Sequence, residues 1–282
     1  MLEKSNLHSE PEIAAGKLEH YFRRQQCAIV AYSGGVDSAL LAFAAHRALK
    51  QDMVAALADS LSLSRREYRF ALNFAQTHGI PLQIIRTREI ENPKYQVNRS
   101  DRCYHCKKAL FEKIEELRAQ LQGSSAIAPW PISYGVNMDD LGDYRPGIQA
   151  ASEASIQAPY VELEFTKPTI RSICAYYNLE VTEKPAMPCM ASRIAYGEAV
   201  TPEKLSQVEK AEDFLYDLGL RVLRVRHHGD TARIEVPPQD FKTILNHQER
   251  IRQHFHHLGF VYVSMDLDGF KSGSLNAVLK SS

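Results

Sequence analysis

The chain has 282 residues, 44% of them hydrophobic, and its 34 Lys and Arg side chains balance 34 Asp and Glu. This length favours two domains, and a zero net charge provides no basic field to attract nucleic acid. No window approaches the roughly 18 apolar residues of a membrane span, and the N-terminus lacks a charged region followed by an apolar run. We therefore expect a cytoplasmic protein that binds neither a membrane nor nucleic acid.

Strand-like apolar runs and helical patterns alternate through the first part of the chain. The predicted strands are 28–32, 53–58, 82–85 and 132–136, and the predicted helices are 13–24, 39–50, 64–78 and 107–121. Such alternation predicts a parallel sheet with crossover helices. Ligands of these sheets bind beyond the carboxyl ends of the strands. The segments 33–38, 59–60 and the one from Gly135 should therefore converge on one nucleotide.

The pattern changes after Pro188. A helix (202–218), two strands (221–226 and 231–236), a helix (239–258) and a last strand (260–265) follow one another. This order predicts a small α+β domain. We place the domain boundary between residues 195 and 196, so that the first domain is 1–195 and the second is 196–282.

The most informative motif is Ser33-Gly34-Gly35-Val36-Asp37-Ser38, between the first strand and an alanine-rich helix. A strand, a glycine turn and a helix N-terminus offer unpaired N–H groups to an anion, and two glycines allow its close approach. The spacing matches neither a Walker A loop nor a dinucleotide fingerprint. It resembles the pyrophosphatase loop (PP-loop) of ATP enzymes that cleave between the α and β phosphates.

Five unevenly spaced cysteines disfavour a disulfide framework and favour metal or thiol chemistry. Cys103 and Cys106 form a CxxC before two lysines and a helix, a setting that stabilises thiolates. Cys189 lies in a proline-fixed segment beside an arginine. Three such thiols could bind an iron–sulfur cluster with one iron open, or zinc with His105 as the fourth ligand. The other two lie in apolar patterns and are expected to be small buried side chains: Cys27 and Cys174.

Six motifs occur in one order and together resemble the LarE family. They are SGGVDS (33–38), RCYHCKKALF (102–111), YGVNMDDLGDYRPG (134–147), PCMASRI (188–194), RVRHHGDTARIEVP (224–237) and DLDGFKSGSLN (266–276). Members are ATP-dependent sulfur transferases that help to build the nickel-pincer nucleotide cofactor of lactate racemase. The resemblance implies a Rossmann-like α/β sheet of the adenine nucleotide α-hydrolase type, followed by the small α+β domain.

The resemblance also implies a reaction. A carboxylate of a pyridinium mononucleotide is adenylated by ATP, sulfur attacks the acyl-adenylate, and a thiocarboxylate leaves with AMP. By this analogy Asp37 or a neighbouring carboxylate helps to place Mg²⁺. The residues implied for the pyrophosphate end of ATP are Ser33, Gly34, Gly35, Asp37 and Ser38. Those implied for the adenosine are Ser60, Gly135 and Asn137.

Two sulfur sources occur among proteins of this kind. Some members sacrifice the cysteine equivalent to Cys189, which becomes dehydroalanine. Others carry two further cysteines and bind a [4Fe-4S] cluster whose fourth iron presents a sulfide. This chain resembles the second group, with Cys103, Cys106 and Cys189 as the cluster ligands and a separate sulfide donor to reload it. Hexamers occur in the family, so a homo-oligomer is expected.

Charged residues of the second half are candidates for the substrate's phosphate. Arg224 and Arg226 alternate along a strand and share one face, where paired guanidiniums could grip a phosphate. Glu212 and, more weakly, Asp240 match acidic positions of the family. Arg193, beside the cysteine, could steady charge on the acyl-adenylate. A further acidic cluster could hold the metal or cap a loop: Asp139, Asp140 and Asp143.

Two classes of rival function remain open. Another PP-loop enzyme, such as a tRNA sulfurtransferase or an amide-forming synthetase, would share the loop and the sheet. A tRNA sulfurtransferase should add a basic or zinc-bearing module, and a synthetase has no use for three thiols. The other class is a nucleotide-binding sensor with a structural zinc site, which would not turn over ATP.

Overall fold

The structure is a computed structural model and describes residues 9–123, 130–142 and 146–271. Asp143 and the end of the last motif lie outside these ranges. The helices are α1 (Glu10–Arg23), α2 (Val36–Leu49), α3 (Arg65–Thr77), α4 (Pro93–Gln96), α5 (Arg102–Gln122), α6 (Pro146–Glu153), α7 (Pro159–Glu162), α8 (Lys167–Tyr176), α9 (Pro202–Asp217), α10 (Phe241–Asn246) and α11 (Gln248–His257). The strands are β1 (Ala28–Tyr32), β2 (Met53–Asp59), β3 (Leu82–Arg86), β4 (Ile132–Ser133), β5 (Arg224–His228), β6 (Thr231–Glu235) and β7 (Tyr262–Met265).

The chain divides into two compact units that are discontinuous in sequence. The first unit is Met1–Ser60, Arg65–Arg88 and Cys103–Met187, and the second is Leu61–Ser64, Glu89–Arg102 and Pro188–Ser282. The sequence prediction had instead placed a single boundary after residue 195. The short segments before Ser64 and before Cys103 belong with the C-terminal part because their hydrogen bonds run to residues 190–200.

The first unit is built on a four-stranded parallel sheet in the order β3-β2-β1-β4. Its central strand β1 is buried along its whole length, as expected of a parallel strand covered on both faces. Helices α1, α2 and α8 pack together, and α2 packs on β1. On the sheet, α5 buries an apolar stripe of Phe111, Ile114 and Leu117, and α6 joins this cluster. The predicted α/β parallel-sheet fold is confirmed.

The second unit carries a three-stranded sheet in the order β5-β6-β7, with an antiparallel and then a parallel pairing. Helices α9, α10 and α11 contribute Leu215, Ile244 and Phe255 to its core. The predicted helix 239–258 is two helices that meet at His247. Within the described ranges, every helix is too short or too polar to traverse a bilayer.

Candidate active site

The carboxyl ends of three parallel strands bring the predicted nucleotide segments together in the first unit. Because β1 pairs with both β2 and β4, the loop after Tyr32, Ser60 and Gly135 all follow strands at one edge of the sheet. A Cβ on Gly135 would lie 3.1 Å from the backbone nitrogen of Ser38 and from atoms of Asp37. Gly135 therefore lets its segment pack directly on the PP-loop.

Ser38 folds the PP-loop through its hydroxyl. Its Oγ accepts a hydrogen bond from the Ser33 backbone N–H at 3.1 Å, lies 3.1 Å from Ser33 Oγ and is 3.2 Å from the Gly35 carbonyl oxygen. Ser38 is buried and Ser33 is exposed. The loop shape is thus fixed from inside by Ser38, while Ser33 is exposed.

The two glycines of the loop, Gly34 and Gly35, have different structural roles. Gly34 has φ +73° and a Cβ there would lie 2.7 Å from the Cβ of Ala71, so both its backbone conformation and its packing on α3 require glycine. Gly35 has φ −74°, and its nearest neighbour for a Cβ is Ser33 Oγ at 3.6 Å. A Cβ is therefore tolerated at Gly35 without a clash, whereas Gly34 is needed for the fold.

Asp37 stands in the first turn of α2 and is held by a lysine from α8. The Lys167 ammonium lies 2.7 and 2.6 Å from the two carboxylate oxygens. Asn137 Nδ2 donates to the same carboxylate at 3.4 Å, and Tyr160 donates its hydroxyl to the Asp37 carbonyl at 2.8 Å. A carboxylate and an ammonium therefore lie side by side at the end of the loop, in the first turn of α2.

A second lysine fixes the other side of the loop. Lys184 Nζ donates to the Gly34 carbonyl at 2.9 Å, pairs with Glu67 at 2.8 Å and lies 3.5 Å from the centre of the Phe70 ring. Burial lowers the pKa of the Lys184 ammonium, and the bond to Glu67 offsets part of that change. Lys184 therefore ties the PP-loop to Glu67 and Phe70 of α3.

The two acidic side chains after β4, Asp139 and Asp140, accept hydrogen bonds from backbone N–H groups. Asn137 Oδ1 accepts from the Asp139 N–H at 3.0 Å, and Asp140 accepts from the Asn137 N–H at 3.1 Å, which forms a capping box. The Asp139 carboxylate accepts the Lys167 N–H at 2.6 Å at the start of α8. Asp139 and Asp140 therefore act as caps, and Asp143, the third member of the predicted cluster, lies outside the described residues.

Arg193 is the largest fully buried side chain of the second unit, with 1% of its surface exposed. Its Nε and one terminal nitrogen donate to the two oxygens of Glu212 at 2.9 and 3.0 Å, a two-point ion pair. The other terminal nitrogen donates to the carbonyls of Pro188 at 2.5 Å and Cys189 at 3.2 Å. Burial opposes the charge, but the attraction of Glu212 outweighs it and raises the pKa of Arg193.

Two further guanidiniums lie on β5, at alternate positions of one strand face as predicted. Arg226 donates to Glu235 at 2.9 Å and to the Ser192 carbonyl at 2.8 Å. The Arg224 guanidinium lies 5.1 Å from the centre of the Phe270 ring. Burial and the neighbouring charge of Arg193 lower the pKa of Arg224 to about 10. Asp240 is half-buried at the start of α10, and none of its described hydrogen bonds joins it to the arginines.

The cysteines separate into two groups by exposure. Cys103 is exposed, and Cys106 and Cys189 are half-exposed, whereas the remaining two are buried as expected, Cys27 and Cys174. Helix α5 begins at Arg102, five residues before its predicted start, so Cys103 and Cys106 lie in its first turns at positions i and i+3 on one side. Across the described residues, no three His, Cys, Asp or Glu side chains are gathered in a group that could hold a metal ion.

Comparison with known proteins decides the family. The NAD synthase family model matches residues 17–115, which include the PP-loop and the CxxC. An uncharacterized protein of Synechocystis is 42% identical over 93% of this chain and 96% of its own length. The pyridinium-3,5-bisthiocarboxylic acid mononucleotide synthase of Lactiplantibacillus plantarum is 34% identical over 89% of both chains. An uncharacterized protein of Methanocaldococcus jannaschii is 28% identical over 86% of this chain and 90% of its own length.

The chain belongs to the LarE family. It is accordingly an ATP-dependent enzyme of the PP-loop class. In this LarE protein, the structure brings Asp37, Gly135 and Asn137 together at one loop, and it brings Glu212 to Arg193.

Sequence reasoning missed two lysines of the LarE PP-loop, Lys167 and Lys184. Each precedes a proline at the edge of an unremarkable helical or turn segment. The two lysines lie 130 and 150 residues from their partners in the sequence, so no local pattern predicts these contacts. The Lys-Pro pairs are the one local signal, since proline favours the first turn of a helix and fixes where a side chain stands.

Proposed function

We propose that this LarE protein uses ATP to adenylate a carboxylate of a pyridinium mononucleotide and then replaces AMP with sulfur, releasing a thiocarboxylate. The observation that carries the proposal is the PP-loop with Asp37 and two lysines, in a chain whose Lactiplantibacillus relative is named for such a product. The expected role is in making the nickel-pincer cofactor of lactate racemase.

Adenylation needs positive charge where pyrophosphate leaves. The substrate carboxylate attacks the α-phosphorus of ATP, the bond to the β-phosphate oxygen breaks, and negative charge grows on the leaving group. The N–H groups at Gly35 and the N-terminus of α2 can accept that charge together with the Lys167 and Lys184 ammoniums. Ser33 would contact a phosphate oxygen, and Ser60 and Asn137 would line the adenosine.

Asp37 fits the expected Mg²⁺. This ion takes one or two carboxylates together with substrate phosphates and waters, so a site needs no preformed group of three protein ligands. Asp37 is half-buried at the loop, with both carboxylate oxygens already turned toward a cation, the Lys167 ammonium. When bound, Mg²⁺ would neutralise the β and γ phosphates. Lys167 would then turn from Asp37 to a phosphate oxygen.

The arginines of the second unit fit the substrate's phosphate. Burial and the neighbouring Arg193 cation lower the pKa of Arg224 to about 10, so it stays charged at neutral pH, and a bound dianion would offset the cost of burying that charge. Arg226 is oriented by Glu235, so it would present a fixed donor to a phosphate. In this proposal Glu212 acts by orienting Arg193, and Asp240 is a weaker candidate near the same strand end.

The sulfur source is proposed to be a [4Fe-4S] cluster held by Cys103, Cys106 and Cys189. The donor set fits in kind: three thiols that are not buried, two of them at i and i+3 near a helix start. When bound, the cluster would supply a sulfide from the iron that no cysteine holds. The chain's own part is to keep three thiolates available and to exclude other ligands. A sulfide donor would reload the cluster, and we expect a cytoplasmic homo-oligomer.

One reaction tests the proposal. Protein reconstituted anaerobically with iron and sulfide is mixed with ATP, Mg²⁺ and the pyridinium biscarboxylic mononucleotide, and AMP, pyrophosphate and thiocarboxylate are measured. Equal amounts of AMP and thiocarboxylate support it. Cys103→Ala should lose iron and product, and Cys27→Ala, the control, should keep both. A Cys103→Ala protein that still gives one product per chain, with Cys189 converted to dehydroalanine, would replace the cluster by a sacrificial cysteine.

The rival functions give different results in the same reaction. A nucleotide-binding sensor would form neither AMP nor pyrophosphate. A synthetase would form both but incorporate nitrogen from an amine. A tRNA sulfurtransferase would leave the mononucleotide unchanged and thiolate RNA.

A further inference from the structure

The turn that carries Cys189 is held by a buried asparagine from another part of the second unit. Asn98 is fully buried and adopts φ +57°, a left-handed conformation that is uncommon outside glycine. Its amide nitrogen donates to the carbonyls of Ile194 at 3.2 Å and Ala195 at 2.8 Å. Its own carbonyl accepts the Gly197 N–H at 3.2 Å. One side chain and one peptide group thus fix three residues that follow Cys189: Ile194, Ala195 and Gly197.

Arg102 binds the same turn at a position closer to Cys189 in the chain. It is buried, and one terminal nitrogen donates both to Asn98 Oδ1 and to the Ala191 carbonyl, the latter at 3.0 Å. Ala191 is two residues after Cys189, and Arg102 is the residue directly before Cys103 in the chain. A buried guanidinium is costly to desolvate, and its bonds to the Asn98 side chain and to the Ala191 carbonyl offset that cost and hold the turn.

The same turn is fixed at its beginning and from within. The Met190 N–H donates to the Ser62 carbonyl at 2.7 Å, and the Ser62 hydroxyl lies 2.5 Å from the Tyr95 hydroxyl. Arg193 binds the Cys189 carbonyl at 3.2 Å. Both hydrogen bonds to this turn go to main-chain atoms, the Met190 N–H and the Cys189 carbonyl, and the Cys189 side chain itself stays half-exposed.

We propose that Asn98 and Arg102 are positioning residues that set the Cys189 thiol for sulfur transfer. They do not touch the reacting sulfur; they act through the carbonyls of residues 191, 194 and 195. The strained backbone of Asn98 is kept because its amide reaches two carbonyls at once, which glycine cannot do. The inference rests on the proposed function, in which Cys189 is one of the ligands of the cluster that supplies the sulfur.

Asn98→Gly separates strain from positioning. Glycine tolerates φ +57° better than asparagine, so a purely conformational role would leave the protein as active as before. The positioning role predicts a loss of thiocarboxylate and AMP formation of tenfold or more, with the release of pyrophosphate in a single turnover within twofold of wild type. Arg102→Gln should give the same split. Arg99→Gln, an equal change at an exposed position three residues earlier, should alter neither rate.

A second measurement needs no substrate and no cluster. The full chain, freed of iron with a chelator, is alkylated with iodoacetamide, and the rate at Cys189 is read by peptide mass spectrometry. A loosened turn should expose the half-buried thiol, so Asn98→Gly and Arg102→Gln should react at least threefold faster at Cys189, and Arg99→Gln at the wild-type rate.

Several results overturn the proposal. Equal losses of adenylation and sulfur transfer would show that the two residues support folding alone, and unchanged rates would show that the turn does not need them. An unchanged alkylation rate would also overturn it, whatever the sulfur transfer does. If wild-type protein makes no thiocarboxylate, the proposed function fails, and the alkylation rates still decide whether Asn98 and Arg102 hold the Cys189 turn.

Discussion

Removing the charge of Glu212 should strongly destabilise the second unit. Glu212 is almost fully buried and meets Arg193, which is 1% exposed, through two contacts of 2.9 and 3.0 Å. Its Oε1 also accepts the Val225 N–H of β5 at 3.0 Å. Glu212→Gln keeps the shape but sets an amide N–H₂ or a neutral oxygen against a buried cation.

The expected cost follows from the buried charge left behind. Breaking a buried ion pair by removing one partner costs about 3–5 kcal/mol, since the other charge is desolvated without compensation. The nearby Arg224 cation makes the loss worse, because the attraction of Glu212 currently opposes the depression of the pKa of Arg224. At about 1.4 kcal/mol for each factor of ten, the opened population of the unit should rise by roughly a hundredfold or more.

Hydrogen–deuterium exchange measures this directly. The amides of β5 and β6 report opening of the second unit, and those of β1 and β2 serve as an internal reference in the first unit. Glu203→Gln, on an exposed position of the same helix, is the matched control and should change exchange little. A Glu212→Gln protein whose β5 amides exchange within fivefold of wild type would refute the argument that Arg193 depends on this carboxylate.

Three other predictions concern separate parts of the molecule. Gly34→Ala should destabilise the first unit, because φ +73° and the 2.7 Å approach to Ala71 exclude a Cβ. Gly35→Ala should instead have the melting temperature of wild type but lose ATP-dependent adenylation. Inorganic phosphate should raise the melting temperature, and Arg224→Met should remove that rise, since the anion offsets the cost of a buried cation. Burial, with Lys204 nearby, lowers the pKa of His227, so the unfolded chain binds the proton more tightly than the folded one. The free energy of unfolding should therefore fall as the pH drops below about 6.5. His227→Gln should reduce that loss, as measured by urea titrations at several pH values.

Each of these has a clear contrary result. A Gly35→Ala protein with full adenylation would mean that the anion does not approach the backbone there. A phosphate effect that survives in Arg224→Met, while chloride at the same ionic strength has none, would place the anion elsewhere. Equal acid sensitivity of wild type and His227→Gln would remove this histidine as the cause.

Local patterns were enough to predict the first unit, and distant contacts were not. The buried run of β1 and the alanine-rich α2 identify the central strand and its helix, so the sheet and the place of the PP-loop follow from the order of elements. Lys167 and Lys184 could not be predicted, because their contacts with Asp37 and Gly34 close over more than a hundred residues.

The second unit shows the same limit. The alternation of Arg224 and Arg226 predicts their common face, and both lie on β5. That Glu212 pairs with Arg193, and that Arg226 pairs with Glu235 across the β5–β6 pair, depends on packing that no spacing encodes. The segment 89–102 was not assigned to this unit, since nothing in its composition reveals that Asn98 and Arg102 bind residues after Cys189.

The most direct test of ATP-dependent sulfur transfer is mass spectrometry of the mononucleotide after reaction with ATP and anaerobically reconstituted protein. We predict that an oxygen of one carboxylate is replaced by sulfur, that one AMP and one pyrophosphate appear for each sulfur gained, and that Asp37→Ala protein forms none of them. A mononucleotide recovered unchanged, with or without ATP consumption, would contradict the proposed function.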